Sequence, residues 1–334
     1  MKQLCLLFAI LLLGISAIAQ KIHSPAELLK IMENSEISYE ISSMETPVKC
    51  PDYSSNLNYN ESYRAVTDSG IYTYKYSISD EAAEFFKKAE GFFQKIMIDS
   101  AQKYYKKTLE VDSSLYFVMT YLGQTFEHQN DSKNAIYWYK KAIEKNYIDY
   151  MAHWFLADAY KATGQLDKAV DEITIARILN RNNPRIKSAF DNIYKAAKRK
   201  TEDWYFNPQI ELEKTGEKKV KVSFDSKWTG YAIAKAIWEF EPGYSLSMGV
   251  EEGVYSTIED KECLISQIIG MENAKVKYKK DPQLRIMKTA AENKFLTEYI
   301  LFEIVLPENP QVAFQLTEEI IESMKNYILE IRNP

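Results

Sequence analysis

The chain has 334 residues, and its 42 basic and 47 acidic residues give a mildly acidic net charge of −5. The basic residues form no stripe along the chain, so the composition disfavours a nucleic-acid-binding function. The length predicts about two domains, and the 13% of aromatic residues can both fill a core and line a binding surface.

The first nineteen residues differ in composition from the rest. Lys2 is followed by an uncharged apolar run from Leu4 to Ile15, and Ala17-Ile18-Ala19 then precedes Gln20. This order of positive, apolar and small residues predicts a signal peptide over residues 1–19 and a periplasmic or extracellular mature protein. The run is short for a membrane span, which takes about 20 residues. An uncleaved anchor helix is the alternative, and no cysteine follows Ala19 to carry a lipid.

Residues 20–80 are predicted to form an N-terminal arm. Ser24, Pro25 and Glu27 have the spacing of a capping box with proline at the first helical position. A polar stretch rich in Pro, Asn and Ser then predicts a loop. The alternation that follows indicates an edge strand, or alternatively a tyrosine strip for a ligand, and it comprises Tyr72, Tyr74, Tyr76 and Ile78.

The mature chain keeps two cysteines, Cys50 and Cys263. Export makes a disulfide between them chemically permitted. Two free thiols are the alternative, because the sequence does not show that the two residues are close enough to be bridged.

A 34-residue period begins at Ala82 and repeats at Tyr116 and Tyr150. Small residues recur at three positions of each copy, where they allow two helices to approach closely. Large residues recur at two positions, where they fill the space between the helices. The small set is Ala89, Gly123, Ala157, Ala101, Ala135, Ala169, Thr108, Ala142 and Ala176, and the large set is Phe92, Phe126, Tyr160, Tyr105, Tyr139 and Ile173.

On these residues, the segment 82–183 resembles the tetratricopeptide repeat family. The resemblance implies three pairs of antiparallel helices, with Asn130 and Gly164 at the turns between helices. Residues 185–199 read as a lone helix that caps the last apolar face. The predicted fold is mainly α: a signal peptide over 1–19, an arm over 20–80, an array with its cap over 81–200, and a C-terminal region over 201–334.

In this family the first helix of each repeat lines a concave groove. The resemblance therefore implies a ring-lined surface with amide and acidic groups, suited to an extended peptide. The alternative is that flanking segments of the same chain fill this groove. The candidate groove residues are Phe86, Phe93, Phe117, Tyr121, Gln124, Trp154, Phe155, Asp158 and Asn192.

The region from 201 to 334 resembles no family. Alternating apolar residues on either side of Thr215-Gly216 predict a β-hairpin. Trp228 to Trp238 has helical spacing that ends at Pro242, a second helical run ends at Pro307, and Thr317 caps a last amphipathic helix.

No motif for catalysis or cofactor binding is found. The chain has no glycine-rich phosphate loop, no HExxH and no CxxC, and its three histidines, His23, His128 and His153, lack metal-ligand spacing. At its repeat position, His153 is expected to be a packed or groove residue rather than a base. We therefore predict neither a metal nor a cofactor, and no enzymatic activity.

The leading hypothesis is an exported scaffold that binds a protein or peptide of the cell envelope through the groove. Two alternatives stay open. One is a carbohydrate-binding envelope protein. The other is a hydrolase with paired carboxylates in the C-terminal region, since such chemistry needs only two acids at the right separation.

Overall fold

The structure is a computed structural model that describes residues 22–53, 62–67, 70–75 and 77–334, with only the backbone of the stretch from 62 to 75. The predicted signal peptide lies outside the described residues. So do the side chains of Tyr72, Tyr74 and Tyr76, although Gly70–Lys75 is a strand, as the alternation predicts. Among the described residues, no helix is long and apolar enough to cross a membrane.

The chain forms two compact units, and both are discontinuous. Unit 1 comprises Met1–Cys50 and Phe206–Lys288, and unit 2 comprises Pro51–Tyr205 and Thr289–Pro334. These boundaries differ from the predicted arm over 20–80 and C-terminal region over 201–334. The N-terminal segment belongs with the hairpin, while the last helices belong with the repeats.

Unit 1 is built on a three-stranded sheet in the order β1–β5–β4. The predicted hairpin is formed, and β1 is an additional strand that pairs with β5 in parallel. Helix α1 has the predicted capping box between Ser24 and Glu27. The elements are α1 (Pro25–Asn34), β1 (Ser38–Ser43), β4 (Ile210–Gly216), β5 (Lys219–Phe224), α9 (Thr229–Phe240), α10 (Tyr244–Ser247), α11 (Thr257–Asn273) and α12 (Pro282–Glu292), which continues past the end of this unit.

The two cysteines of unit 1 are not bridged. Cys50 is exposed, whereas Cys263 is fully buried on α11, and both are free thiols. The disulfide considered from the sequence is therefore not formed in this structure, because one sulfur is enclosed by the core while the other faces solvent. Full burial raises the pKa of the Cys263 thiol well above its usual value, and partial desolvation raises that of the exposed Cys50 less.

Unit 2 contains the predicted helical array. Its six repeat helices form three pairs, and the second helices start 34 residues apart at Ile98, Ser132 and Leu166, which confirms the three-repeat prediction. The small residues predicted between the helices are fully buried, including Ala89, Ala101 and Ala135. The elements are β2 (Ser62–Thr67), β3 (Gly70–Lys75), α2 (Asp80–Phe93), α3 (Ile98–Val111), α4 (Tyr116–His128), α5 (Ser132–Lys145), α6 (Tyr150–Ala162), α7 (Leu166–Leu179) and α8 (Pro184–Ala196).

The turn between the two helices of each repeat has a left-handed residue at the same position. Asn130 and Gly164 take φ values of 59° and 76°, as predicted, and Ile96 takes 58° at the equivalent place. Glycine adopts this backbone conformation without strain, whereas a residue with a β-branched side chain is strained in it. The first repeat therefore keeps the turn geometry with an unsuitable residue.

Helix α8 is the predicted capping helix. Asn183 caps its start, with Pro184 at the first helical position, and its apolar face buries Ile186, Phe190 and Ile193. The last helices complete unit 2, and α15 packs on α7, the second helix of the third repeat. These elements are α13 (Leu296–Tyr299), a π-helical segment (Ile300–Val305), α14 (Leu306–Glu308), a 3-10 helix (Pro310–Gln315), α15 (Glu318–Tyr327) and a second π-helical segment (Ile328–Arg332).

Candidate functional site

The candidate groove residues lie on the first helices of the repeats and on the capping helix. Eight of the nine are half-buried, and Asn192 is exposed. A half-buried ring on such a face offers apolar area to a partner while its inner edge packs on the array. Helix α15 packs on α7, which is the second helix of the third repeat, so this contact is on the side of the array formed by the second helices.

Three of the predicted rings form one cluster. Phe86 meets Phe117 edge-on with 5.4 Å between ring centroids, and it stacks on Tyr121 at 6.0 Å. Tyr121 in turn stacks on Tyr105 of α3 at 6.2 Å. The cluster joins the first and second repeats. Because the rings pack on one another, a partner can bind their outer edges without rearranging them.

A second cluster belongs to the second and third repeats. Phe155 lies between Trp154, whose ring is stacked on it at 5.3 Å, and Tyr139, at 5.9 Å. Phe93 packs edge-on to His128 at 5.3 Å, at the end of the first helices of repeats one and two. The predicted rings are thus brought together in neighbouring groups along the array.

Neither the tyrosines of the second helices nor Glu127 of a first helix was predicted as a site residue. Tyr105 donates a hydrogen bond to Glu90, and Tyr139 donates one to Glu127 with 2.7 Å between the oxygens. Each pair fixes a carboxylate against the core. Glu127 occupies the same repeat position as Phe93 and Lys161. Taking that position in all three repeats would therefore have identified it.

Burial disfavours the ionised forms of two carboxylates on this face, those of Glu127 and Asp158. Burial raises the pKa of Glu127, and the charge of Asp158 adds to the rise, against the hydrogen bond from Tyr139. Burial likewise raises the pKa of Asp158, although the charge of Lys161 opposes it. The Lys161 ammonium donates to the Asn192 carboxamide oxygen at 2.6 Å. A further cation placed near Glu127 and Asp158 would stabilise their ionised forms.

His153 is a packed residue rather than a candidate base. Its side chain is buried, with Nδ1 at 2.6 Å from Glu172 and Nε2 at 2.8 Å from the carbonyl oxygen of Tyr147. Both ring nitrogens are thus engaged within the array, and neither is directed at a substrate position.

The buried carboxylates of the C-terminal region also have structural partners. In unit 1, Glu262 accepts hydrogen bonds from Trp238 and Tyr244, each at 2.7 Å, and from His23. In unit 2, Glu303 accepts from two arginines and Tyr327. Within the part of the chain that the structure describes, no group of His, Cys, Asp and Glu could hold a metal ion.

No protein-family model and no curated protein sequence matches the chain. Among solved structures, it is similar to the first tetratricopeptide repeat domain of Spaghetti (RPAP3) bound to the HSP90 peptide SRMEEVD, with 19% identity and a TM-score of 0.35 over 36% of this chain and 95% of that one. It is also similar to the Yersinia enterocolitica type III secretion chaperone SycD in complex with a peptide of the translocator YopD, with 20% identity and a TM-score of 0.34 over 36% of this chain and 96% of that one.

Proposed function

We propose that the mature chain is an exported protein whose repeat segment binds an extended peptide of another protein. The observation that carries the proposal is the face formed by the first helices, where two ring clusters lie beside carboxylates fixed by core tyrosines. Export is proposed on the pattern of residues 1–19, and it places the partner in the cell envelope or outside the cell.

The ring clusters suit apolar side chains of the partner. Aromatic side chains have few rotatable bonds, so they contribute contact area at a small loss of conformational entropy. Here they are also restrained by each other, as in the stack of Phe86 on Tyr121. Gln124 lies on the same face, half-buried, and its carboxamide can pair with the backbone of an extended segment.

The carboxylates favour a partner that carries a lysine or arginine. Glu127 and Asp158 lie beside the stacked pair of Trp154 and Phe155 on the first helices of repeats two and three. A guanidinium or ammonium group there would gain charge-assisted hydrogen bonds and a ring face to lie on. The proposed ligand is therefore an extended peptide with apolar residues flanking a basic one.

A displayed library of random peptides, selected on the mature chain, tests this function. We expect the enriched peptides to combine apolar and basic residues, and to bind far more weakly to the variants Tyr121→Ala and Phe155→Ala. Tyr137→Ala is the matched control, because Tyr137 lies on a second helix and half of its surface is exposed. Circular dichroism establishes that each variant is folded. Selected peptides that bind equally to the wild type and to both folded groove variants would refute the groove as the site.

Export is tested separately, by N-terminal sequencing of the protein recovered from its native host after fractionation. Processing before Gln20 and recovery outside the cytoplasm are expected. An unprocessed chain that stays in the cytoplasmic fraction would refute the export part of the proposal and leave the groove part standing.

A further inference from the structure

Three arginines are buried together in unit 2, and none of the candidate groove residues lines their cleft. Arg177 is in the last turn of α7, Arg181 follows that helix, and Arg332 ends the second π-helical segment. Each exposes only 4% of its surface. Burying so many guanidinium groups is costly unless each has anionic partners.

Glu303 is the buried carboxylate of this cluster. It lies 2.8 Å from Arg332 and 3.3 Å from Arg181, and it also accepts a hydrogen bond from Tyr327 at 3.1 Å. Glu303 belongs to the first π-helical segment and Arg332 to the second. Single π turns within helices are frequent at functional sites, because they re-aim side chains.

Arg177 is the third guanidinium and has no ion pair among the described residues. Its Nη1 donates to the carbonyl oxygen of Arg181, and its pKa is lowered to about 9 by burial and by the charge of Arg181, against weaker opposing effects of Tyr205 and Asp191. Two buried arginines therefore share one glutamate while the third is repelled by its neighbour.

The remaining charges lie toward solvent. Lys187 pairs with Asp191 at 2.8 Å and with Asp203 at 3.5 Å, and Glu202 is exposed. These rim acids balance the total charge, but water screens them, and Lys187 already engages two of them. The excess of positive charge is therefore inside the cluster.

The arginines line a cleft that opens to solvent and has a volume of about 30 Å³. One water molecule needs about 10–15 Å³, so the space has room for two water-sized atoms, such as the two oxygens of a carboxylate. Two of the guanidinium groups lie over aromatic rings. The Cζ atom of Arg332 is 4.0 Å from the centroid of the Trp204 ring, and that of Arg181 is 4.3 Å from the centroid of the Phe302 ring. The three nitrogens of Arg332 already donate to Glu303, Asn333 and the Trp204 carbonyl oxygen, so a ligand carboxylate would use the second N–H of each terminal nitrogen.

We propose that this cleft binds a carboxylate group, either of a free small acid or at the end of a larger ligand. The carboxylate would lie against Arg177 and Arg332, with Thr201 and Asn333 at its sides, and would supply the negative charge that the buried cluster lacks. The site lies outside the candidate groove and does not depend on the proposed peptide function.

The first test titrates the full mature chain with sodium acetate against sodium chloride and sodium phosphate at constant ionic strength, with calorimetry and the thermal midpoint as readouts. We expect saturable heat and a rising midpoint with acetate, and little of either with the other two salts. N-acetylalanine and its amide separate the two sources, since only the acid has a terminal carboxylate. Binding of acetate but not N-acetylalanine would assign the cleft to a free small acid. The absence of saturable binding by both carboxylates would overturn the proposal.

Two variants and a control localise the binding. Arg177→Gln should weaken acetate binding at least tenfold, whereas Arg185→Gln, at an exposed position on α8, should leave it unchanged. Asn333→Asp places a fixed carboxylate at the cleft, where the Asn333 oxygen already accepts from Arg332 at 3.5 Å and from the Glu202 amide at 3.3 Å. Without ligand, the Asn333→Asp variant should be more stable than the wild type, and acetate should not change its thermal midpoint. It tests the location of the site even if Arg177→Gln does not fold. An Asn333→Asp protein that binds acetate as the wild type does would refute the cleft as the site.

Discussion

Tyr139 donates a hydrogen bond to Glu127 across the two helices of the second repeat, with 2.7 Å between their oxygens. The tyrosine is fully buried, whereas the glutamate is half-buried on the candidate groove. In the first repeat the equivalent tyrosine, Tyr105, donates to Glu90, which lies at the repeat position of Gln124 and not at that of Glu127. Core packing and the polarity of the groove therefore depend on the same side chains.

Tyr139→Phe should destabilise unit 2 by about 1–2 kcal/mol, because it removes a donor from a partly buried carboxylate while keeping the ring. Loss of this bond also removes an effect that lowers the pKa of Glu127, so that pKa should rise further. Urea unfolding measures the stability. Tyr137→Phe, at an exposed position on α5, is the control and should change the free energy of unfolding by less than about 0.5 kcal/mol. Equal effects of the two substitutions would contradict the assigned role.

Glu127→Gln should change stability and binding in opposite directions. The folded-state pKa of Glu127 is raised, mainly by burial, so the folded wild type binds the proton more tightly than the unfolded chain does. Its stability therefore falls as pH rises from the usual glutamate range through the raised value. Above that window the glutamine variant avoids the cost of ionisation, keeps an oxygen for Tyr139, and should be at least as stable as the wild type.

The same variant should bind the selected basic peptides about fivefold to tenfold more weakly, which corresponds to about 1–1.4 kcal/mol. Urea unfolding at pH 5 and pH 8 and peptide titration by calorimetry measure the two effects. A variant that is clearly less stable than the wild type at pH 8 would show that the ionised carboxylate stabilises the fold. Unchanged peptide affinity would remove Glu127 from the site.

Gly123→Ala should cost about 1–3 kcal/mol, because a Cβ atom there would lie 2.4 Å from the Tyr139 ring. Displacing that ring would also disturb its bond to Glu127. Gly91→Ala is the matched control within α2, since its Cβ would meet no atom within 4 Å. It should stabilise the protein by up to about 1 kcal/mol through helix propensity. Thermal and urea unfolding of both variants test the contrast, which would fail if the two substitutions had the same sign.

The repeat array could be predicted from the sequence because close helix contacts require small residues at fixed positions. Ala101, Ala135 and Gly123 recur at the 34-residue period for that reason, and the rings of the groove follow from the same alignment. Glu127 was missed although it shares its position with Phe93 and Lys161. A position that holds phenylalanine, glutamate and lysine in the three repeats gives no apolar pattern.

Contacts between distant segments could not be predicted in the same way. Strand β1 pairs with β5, where Ser42 and Ser223 place their hydroxyl oxygens 2.9 Å apart across 181 residues of sequence. A six-residue polar strand gives little local signal of such a partner. The pairing of Glu303 with Arg181 likewise spans 122 residues, so sequence periodicity does not reveal the buried arginine cluster.

Ile96→Gly should stabilise the protein by about 1 kcal/mol. Ile96 has a φ of 58°, which costs a β-branched residue about 1–2 kcal/mol, and three quarters of its surface is exposed, so glycine loses little packing there. Gly164→Ala is the reciprocal change at the equivalent turn of the third repeat and should destabilise by a similar amount. The comparison is made by urea unfolding, and a loss of stability in Ile96→Gly would mean that the side chain contributes more than the backbone strain costs.

Glu303→Gln should be the most destabilising of these substitutions. The variant keeps the side-chain volume but removes the buried negative charge, which leaves Arg181 and Arg332 without their ionised partner. Breaking a buried ion pair from one side costs about 3–5 kcal/mol. Glu84→Gln is the control, because that glutamate pairs with Lys88 at 2.6 Å on an exposed helix face, where such pairs contribute about 0–1 kcal/mol. Chemical unfolding distinguishes the two cases. A Glu303→Gln protein within about 1 kcal/mol of the wild type would mean that the buried arginines do not rely on this carboxylate.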